Sequence, residues 1–315
     1  MKGKYNLALA SAIVIALVVA SAGCVNPLAP TSQPKPELLL ATTTSLYDTG
    51  LLDYLKPFFE QQYNVSLKIT SQGTGKAIEL ASRGDANVLA VHSPSQESAF
   101  LNTSKGMNAR CFATNYFIIV GPQSDPAGIK NLSATAAFQK LYQLGTSNAQ
   151  GVTFVSRGDQ SGTHVKEQDL WKAAGYNYTN QVEKSGPWYV ETGQGMGATL
   201  QIADQKQGYT ISDEGTFLAY KSNLTLTPLI TSESKDKNLL NRYTVMTVYS
   251  GNFSQNTIKL SNDFVNFMIS NDTQQKIGQY GVQKYGKPLF TPMYGNCSAY
   301  NCDCTTPATA LVRRR

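Results

Sequence analysis

Four segments of the chain share one pattern, in which a short apolar run ends in a turn of hydroxyl residues and glycines before a helix-like pattern begins. The four turns are Thr42–Ser45, Gly73–Gly75, Ser161–Thr163 and Gly193–Gly197. Because strand, turn, helix and next strand follow at short spacing, these segments predict βαβ units, hence parallel strands with right-handed crossovers. The chain is therefore predicted to be an α/β protein.

The apolar spacing within the first units predicts individual elements. Helices are expected over about Asp48–Tyr63 and after Gly75, and strands over Val65–Thr70 and Asn87–Val91. Pro57 lies inside the first of these helices and suggests a kink or a late start.

Two long strand-like runs, Ala109–Val120 and Arg242–Tyr249, flank a segment with a βα pattern of its own. We therefore expect two lobes, the second inserted into the first, each a mixed and mostly parallel sheet flanked by helices, with these runs as hinge crossovers. The expected boundaries are residues 38–118 and 246–293 for the first lobe and 119–245 for the second. Ligands of such sheets bind beyond the carboxyl ends of the strands and between domains.

The first 24 residues have the basic start and short apolar run of a secretory signal segment. Small residues stand directly before Cys24, as in a lipobox, which would leave this cysteine lipidated. Ser21 departs from the usual Leu or Val, so an uncleaved N-terminal anchor stays open. Residues 25–37 are a Pro-rich spacer. We expect a binding domain tethered to the outer face of the cell membrane.

Net charge excludes one class of partner. The chain carries +6, but without Lys2, Lys4 and Arg313–Arg315 the remainder has 22 basic and 21 acidic residues. A nearly neutral body gives no support for nucleic-acid binding.

Residues 294–315 have a low-complexity composition and hold three of the five cysteines, Cys297, Cys302 and Cys304. Outside the cell, a disulfide among these three is expected. A metal site there lacks a nearby histidine and is the weaker interpretation.

The four turns have the chemistry of an anion site. The first N–H groups of a helix have no partner within the helix and attract anions, and glycine lets the backbone approach a ligand closely. Arg157 adds one fixed charge. A protonated oxyanion would also need an acceptor, for which Asp48 and Asp159 are candidates. If neither enters the pocket, the ligand should be a fully deprotonated dianion such as tungstate, molybdate or sulfate rather than phosphate.

Five motifs carry a family resemblance. They are ATTTSLYDTGLL, SQGTGKAIELASRGDANVLAVHS, FIIVGPQSDPAGI, FVSRGDQSGTH and WYVETGQGMGATL, in this order between about Leu38 and Gly286. Together they resemble the tungstate-binding proteins of Tup-type ABC importers. The resemblance implies a type II periplasmic-binding-protein fold that captures tungstate or molybdate for a membrane permease. It implies a monomer without a cofactor.

The resemblance also implies a ligand set, which is carried over position by position. The expected oxyanion-binding residues are Thr44, Ser45, Thr74, Arg157, Ser161, Gly162 and Thr163, with Thr43 and Gly195 as additional candidates.

Catalytic interpretations fit the motifs less well. Gly158–Gly162 has the wrong spacing for the G-x-S-x-G turn of a serine hydrolase, and neither His92 nor His164 is placed as its base. Gly73–Lys76 lacks the spacing of a P-loop, and Gly193–Gly197 lacks the third glycine of a dinucleotide site. The chain is therefore not expected to be an enzyme.

Two binding alternatives remain. Eight Asn-x-Ser/Thr sequons and two Arg-Gly-Asp triplets are compatible with a glycosylated surface adhesion protein, although both arise readily by chance. The second alternative keeps the fold and changes the ligand to molybdate or phosphate.

Overall fold

The computed structural model describes residues 34–295, 297–300 and 302–309. The predicted signal segment, Cys24, most of the Pro-rich spacer and the terminal arginines lie outside these residues. Within the described part, no helix is long and apolar enough to cross a membrane.

Strands and helices alternate along most of the chain. The described strands are β1 (Glu37–Thr43), β2 (Ser66–Gln72), β3 (Val88–Val91), β4 (Gly106–Gly121), β5 (Phe154–Ser156), β6 (Tyr189–Glu191), β7 (Thr210–Asp213), β8 (Thr227–Ile230), β9 (Leu240–Val248) and β10 (Thr291–Pro292). The described α-helices are α1 (Thr44–Asp48), α2 (Leu51–Tyr63), α3 (Thr74–Arg83), α4 (Pro94–Asn102), α5 (Ala134–Thr146), α6 (Gly162–Ala173), α7 (Met196–Lys206), α8 (Glu214–Tyr220), α9 (Gln255–Ile269), α10 (Asn271–Gln279) and α11 (Val282–Tyr285). Short 3₁₀ or π turns complete the connections.

The main sheet has the order β10-β4-β9-β3-β1-β2. Strand β1 pairs in parallel with β2 and β3, whereas β9 is antiparallel to β3 and β4. Strands β7 and β8 pair antiparallel with the C-terminal part of β4, and β5 pairs in parallel with β6. The predicted mixed α/β fold is therefore confirmed.

Strand β4 passes through both lobes. Its residues up to Tyr116 pair with β9, and its residues from Phe117 onward pair with β7 and β8. Strands β1–β3, β10 and the N-terminal part of β4 belong to the first lobe, and β5–β8 and the C-terminal part of β4 belong to the second. Strand β9 returns the chain from Leu239, in the core of the second lobe, to the first-lobe strands β3 and β4. The two-lobed fold is thus confirmed.

Each lobe has its own aromatic core. In the first lobe, Phe59 of α2 packs edge-on against Phe264 of α9, with ring centroids 4.9 Å apart. In the second, Phe138 of α5 packs against Trp171 of α6 at 4.4 Å. Burying a side chain of this size stabilises a fold by about 1.5–3 kcal/mol, so each lobe holds its site residues on a rigid support.

The helix predicted over about Asp48–Tyr63 corresponds to α2, which begins later, at Leu51. Helix α1 ends at Asp48, Gly50 adopts a left-handed conformation with φ +79°, and α2 begins at Leu51. The Thr49 hydroxyl accepts the Leu51 N–H at 3.2 Å, which helps to start the second helix. Pro57 lies inside α2, which continues to Tyr63.

The C-terminal segment packs against strand β4. Cys111 of β4 is paired with Cys302, and Cys297 is paired with Cys304. The Cys111 N–H also donates to the Asp303 carbonyl at 2.8 Å. The expected disulfide within the tail is Cys297–Cys304, and the bond to Cys111 is an additional one.

Candidate functional site

The four predicted turns form the N-termini of α1, α3, α6 and α7, with Thr43, Gly73, Ser161 and Gly195 as N-cap residues. They lie at one place between the lobes. A methyl group on Gly195 would be 3.7 Å from Thr44 Cβ, and one on Gly73 would be 3.6 Å from Ser161 Cα. Because these glycines have no side chain, the helix starts approach one another closely. Their first N–H groups, which have no partner within the helix, therefore lie near one another.

Arg157 is the charged centre of this site. It lies in the loop Arg157–Ser161 between β5 and α6, here called the Arg157 loop, and it is 2% exposed. Its Nη2 donates to Thr44 Oγ1 at 3.0 Å, across the cleft, and to Asp159 Oδ2 at 2.6 Å. Its Nε and Nη1 are buried and have no hydrogen-bond partner among the described residues. The guanidinium therefore has an unused donor edge.

Two threonine hydroxyls share this property. Oγ1 of Thr74, at the start of α3, and Oγ1 of Thr163, at the start of α6, are buried without a partner in the described part of the chain. An unpaired buried polar group costs about 1–3 kcal/mol. Such groups from both lobes, together with the Arg157 guanidinium, form a site suited to a small anion.

Three further hydroxyls accept hydrogen bonds from protein groups. Oγ1 of Thr43 accepts the Leu46 N–H and Oγ of Ser161 accepts the His164 N–H, each at 3.2 Å. Oγ1 of Thr44 accepts from Arg157. A hydroxyl that accepts in this way can still donate to a ligand.

Ser45 differs, because its hydroxyl faces His92. The His92 ring contacts Asn241 Oδ1 through Nδ1 at 3.0 Å, and its Nε2 lies 2.8 Å from Ser45 Oγ. An amide oxygen only accepts, so Nδ1 carries the hydrogen and Nε2 accepts the Ser45 hydroxyl. Burial lowers the pKa of His92 to about 3, so the ring stays neutral. Ser45 therefore offers its N–H rather than its O–H.

His92 also forms the floor of the site. A methyl group on Gly162 would lie 2.9 Å from His92 Cε1 and 3.0 Å from Thr74 Oγ1. The first residue of α6 therefore has no room for a side chain.

Of the two candidate carboxylates, Asp159 contacts the guanidinium. Its Oδ2 accepts from Arg157, and its Oδ1 accepts the Ser161 N–H at 3.1 Å. Burial raises the pKa of Asp48, while Arg157 and the Gly197 N–H oppose that rise. Both Asp159 oxygens are thus already engaged.

Two cross-lobe contacts had no signal in the sequence. Thr216 Oγ1 of α8 donates to the Ser45 carbonyl at 3.0 Å, and Gln96 Nε2 of α4 donates to the Gln160 carbonyl at 3.3 Å. Both side chains lie outside the glycine-rich motifs, so only the tertiary structure reveals them.

The arrangement provides donors and no reactive group. Among the described residues, no group of three or more His, Cys, Asp or Glu side chains could hold a metal ion. The functional chemistry available is the binding of a small oxyanion.

A family model described as a PBP superfamily domain matches residues 29–272. A tungstate-binding protein TupA of Peptoclostridium acidaminophilum is 38% identical over 284 residues, which cover 89% of this chain and 95% of that protein. A solved tungstate-binding protein TupA from Desulfovibrio alaskensis G20 is 39% identical, with 82% and 98% of the two chains covered and a TM-score of 0.65. A solved structure described as the tungstate ABC transporter from Geobacter sulfurreducens is 37% identical, with 79% and 100% covered and a TM-score of 0.68.

Proposed function

The chain belongs to the periplasmic-binding-protein (PBP) superfamily, and from that premise we propose that it is the extracytoplasmic binding protein of an ABC importer, which captures tungstate and delivers it to a membrane permease. The relatives reported above are described as tungstate-binding proteins and as a tungstate ABC transporter. The observation that carries the proposal is the set of buried, unpaired donors on Arg157, Thr74 and Thr163.

The proposed ligand set uses two kinds of donor. Backbone N–H groups come from the helix starts, and hydroxyl or guanidinium groups complete the shell. The set comprises Thr44, Ser45, Thr74, Arg157, Ser161, Gly162 and Thr163, with Thr43 and Gly195 as supporting positions. Within this set, the side chains of Arg157, Thr74 and Thr163 have buried donors without a partner among the described residues. The N–H groups of Ser45 and Gly162 belong to the first turns of α1 and α6, where a helix provides no partner of its own.

Charge supports a fully deprotonated ligand. Both Asp159 oxygens accept hydrogen bonds from the protein, so this carboxylate is already engaged and is a poor acceptor for the proton of hydrogen phosphate. A tetrahedral dianion such as tungstate or molybdate only accepts hydrogen bonds and therefore matches a shell of donors. The names of the relatives support tungstate over molybdate.

The finer parts of the proposal concern attachment and motion. We place the first lobe at residues 38–118 and 246–293 and the second at 119–245, with β4 and β9 as the hinge crossovers. Lipidated Cys24, or an uncleaved N-terminal segment, would tether the protein, as a monomer, to the outer face of the membrane.

Calorimetric titration with tungstate, molybdate, sulfate and phosphate at one pH and ionic strength tests the function. Tungstate is expected to bind most tightly, with molybdate next and phosphate weakest, because the Asp159 carboxylate is already engaged by the protein. The absence of heat with every oxyanion would overturn the proposal. Tightest binding of phosphate would retain the transport role and change the cargo.

A further inference from the structure

His164 lies on α6 behind the Arg157 loop and is 1% exposed. Its Nδ1 lies 3.0 Å from the Gln160 backbone nitrogen, which donates to it. Its Nε2 lies 2.8 Å from the Tyr178 hydroxyl oxygen, and that hydroxyl donates to Glu191 Oε1 at 2.6 Å. The ring thus joins the Arg157 loop to strand β6.

These contacts determine the tautomer. A backbone N–H can only donate, so Nδ1 of His164 has no hydrogen, and the neutral ring carries its hydrogen on Nε2. Nε2 then donates to Tyr178, whose own hydrogen is directed to Glu191. The Gln168 amide lies 3.2 Å from Nε2 and can turn its oxygen toward this N–H. A second proton on the ring would place an Nδ1–H group against the Gln160 N–H group.

The peptide that His164 holds is unusual. Gln160 has a left-handed backbone with φ +56°, which an L-residue adopts at a cost of about 1–2 kcal/mol. Its carbonyl accepts from Gln96 of the first lobe. It stands between Asp159, which binds Arg157, and Ser161, which caps α6. The hydrogen bond to His164 Nδ1 therefore supports the strained residue at the centre of the Arg157 loop.

We propose that His164 is a positioning residue, which holds the Arg157 loop in its oxyanion-binding shape only while the imidazole is neutral, so that acid weakens oxyanion binding through this ring. The proposal rests on the proposed function. It adds a pH response that no donor in the ligand shell provides.

The surroundings of the ring set the pH range. Burial lowers the pKa of His164 from its usual value of 6.5, and Arg157 adds to the lowering. Asp159, Glu191 and Glu183 oppose it. A cavity of about 760 Å³ adjoins the Arg157 loop on this side, lined by Gln160, Gln168 and Tyr178 and by the charged side chains of Asp169, Lys172 and Glu183. Protonation of the ring is therefore expected below pH 6.5.

The test uses two variants that separate the ring nitrogens. His164→Asn keeps an acceptor near the position of Nδ1 and does not titrate, whereas His164→Gln extends toward Tyr178 and removes that acceptor. Tungstate affinity is measured for each variant and the wild type by calorimetry at pH 7.5 and 5.5 in the same buffers. Any protonation of the ligand itself affects all three proteins equally.

The affinity of the wild type should fall more steeply between pH 7.5 and 5.5 than that of His164→Asn, and His164→Gln should bind more weakly at both pH values. Matching pH profiles for the wild type and His164→Asn would overturn the role of His164. Failure of the wild type to bind at pH 7.5 would instead overturn the proposed function.

A measurement without ligand covers the case in which a variant does not fold. The chain has two histidines, so ¹⁵N-histidine NMR of the wild type resolves both tautomers. His92 is expected with its hydrogen on Nδ1, and His164 with its hydrogen on Nε2. A hydrogen on Nδ1 of neutral His164 would overturn the inference, because that ring could not accept the Gln160 N–H.

Discussion

Arg157 is the residue on which anion binding depends most. A guanidinium that is almost completely buried is costly unless its donors are engaged, and here Thr44 and Asp159 engage only Nη2. Its other donors are held in a fixed plane by the ion pair. Asp159 thus acts as an orienting group, which directs the remaining N–H groups of Arg157 rather than serving as an acceptor for the ligand.

Arg157→Ala should weaken tungstate binding by about 2 kcal/mol or more, roughly thirtyfold, because it removes charge-assisted donors from a dry site. Arg157→Lys keeps the charge and loses the planar fork, so an intermediate loss is expected. Calorimetry gives both affinities, and thermal unfolding checks that the variants remain folded. Wild-type affinity in Arg157→Ala would remove this residue from the site.

At the residue scale, the sequence motifs predicted which positions meet but not how each donates. Thr74, Arg157 and Thr163 each have a buried donor without a partner in the described part of the chain. The hydrogen bond from the Ser45 hydroxyl to His92 could not be predicted, because the two residues are 47 positions apart in the sequence and only the fold brings them together. The group to which a hydroxyl donates its hydrogen depends on which residues the tertiary structure places beside it.

Among the elements, α6 begins in close contact with the opposite lobe. Its first residue, Gly162, abuts both the His92 ring and the Thr74 hydroxyl of the first lobe. Interiors are closely packed, so even one added methyl group must be accommodated by moving a neighbour. The His92 ring is fixed by hydrogen bonds at both nitrogens, so the helix must move instead.

Gly162→Ala is therefore expected to shift the start of α6 away from the cleft and to weaken tungstate binding about tenfold, since overpacking costs about 1–3 kcal/mol. Gly251→Ala is a matched control, because a methyl group there has open space around it. The tungstate affinities of both variants are compared by fluorescence or calorimetric titration. Equal affinities would show that the cleft tolerates a side chain at this position.

At the element scale, periodicity and turn residues predicted most strands and helices, because apolar spacing reflects one buried face. The start of α2 at Leu51 was missed. It depends on the left-handed Gly50 and on the Thr49 hydroxyl, two local features that leave the apolar spacing of the segment unchanged. Such features change the direction of the backbone and leave the buried face of the helix unchanged.

For the whole molecule, two long strands cross between the lobes, and a few polar contacts join the lobes across the cleft. Besides the contact of Arg157 with Thr44, Lys287 forms an ion pair with Glu214 of α8. These contacts are few enough to break when the lobes separate, whereas the crossover strands keep the lobes attached.

Tungstate is expected to reduce the radius of gyration measured by small-angle X-ray scattering, because a ligand that contacts both lobes favours the state in which they meet. The Arg157→Ala variant serves as the control and should show no change at the same tungstate concentration. Superimposable wild-type curves with and without saturating tungstate would contradict closure.

The two-lobed organisation could be predicted from the order of the motifs, since the donor turns follow strands whose carboxyl ends face one cleft. The link between Cys111 and Cys302 could not, because 191 positions separate the cysteines and no local pattern couples them. Only the folded sheet places strand β4 beneath the chain's last described residues.

This link has a practical consequence. Cys111 belongs to the stretch of β4 that pairs with β9, before the strand enters the second lobe, so the C-terminal segment must travel with the first lobe alone. A fluorophore attached at exposed Thr305 would move together with the first lobe and would therefore mark its position. Paired with a second dye on α5, it would turn each opening and closing into a change in energy transfer.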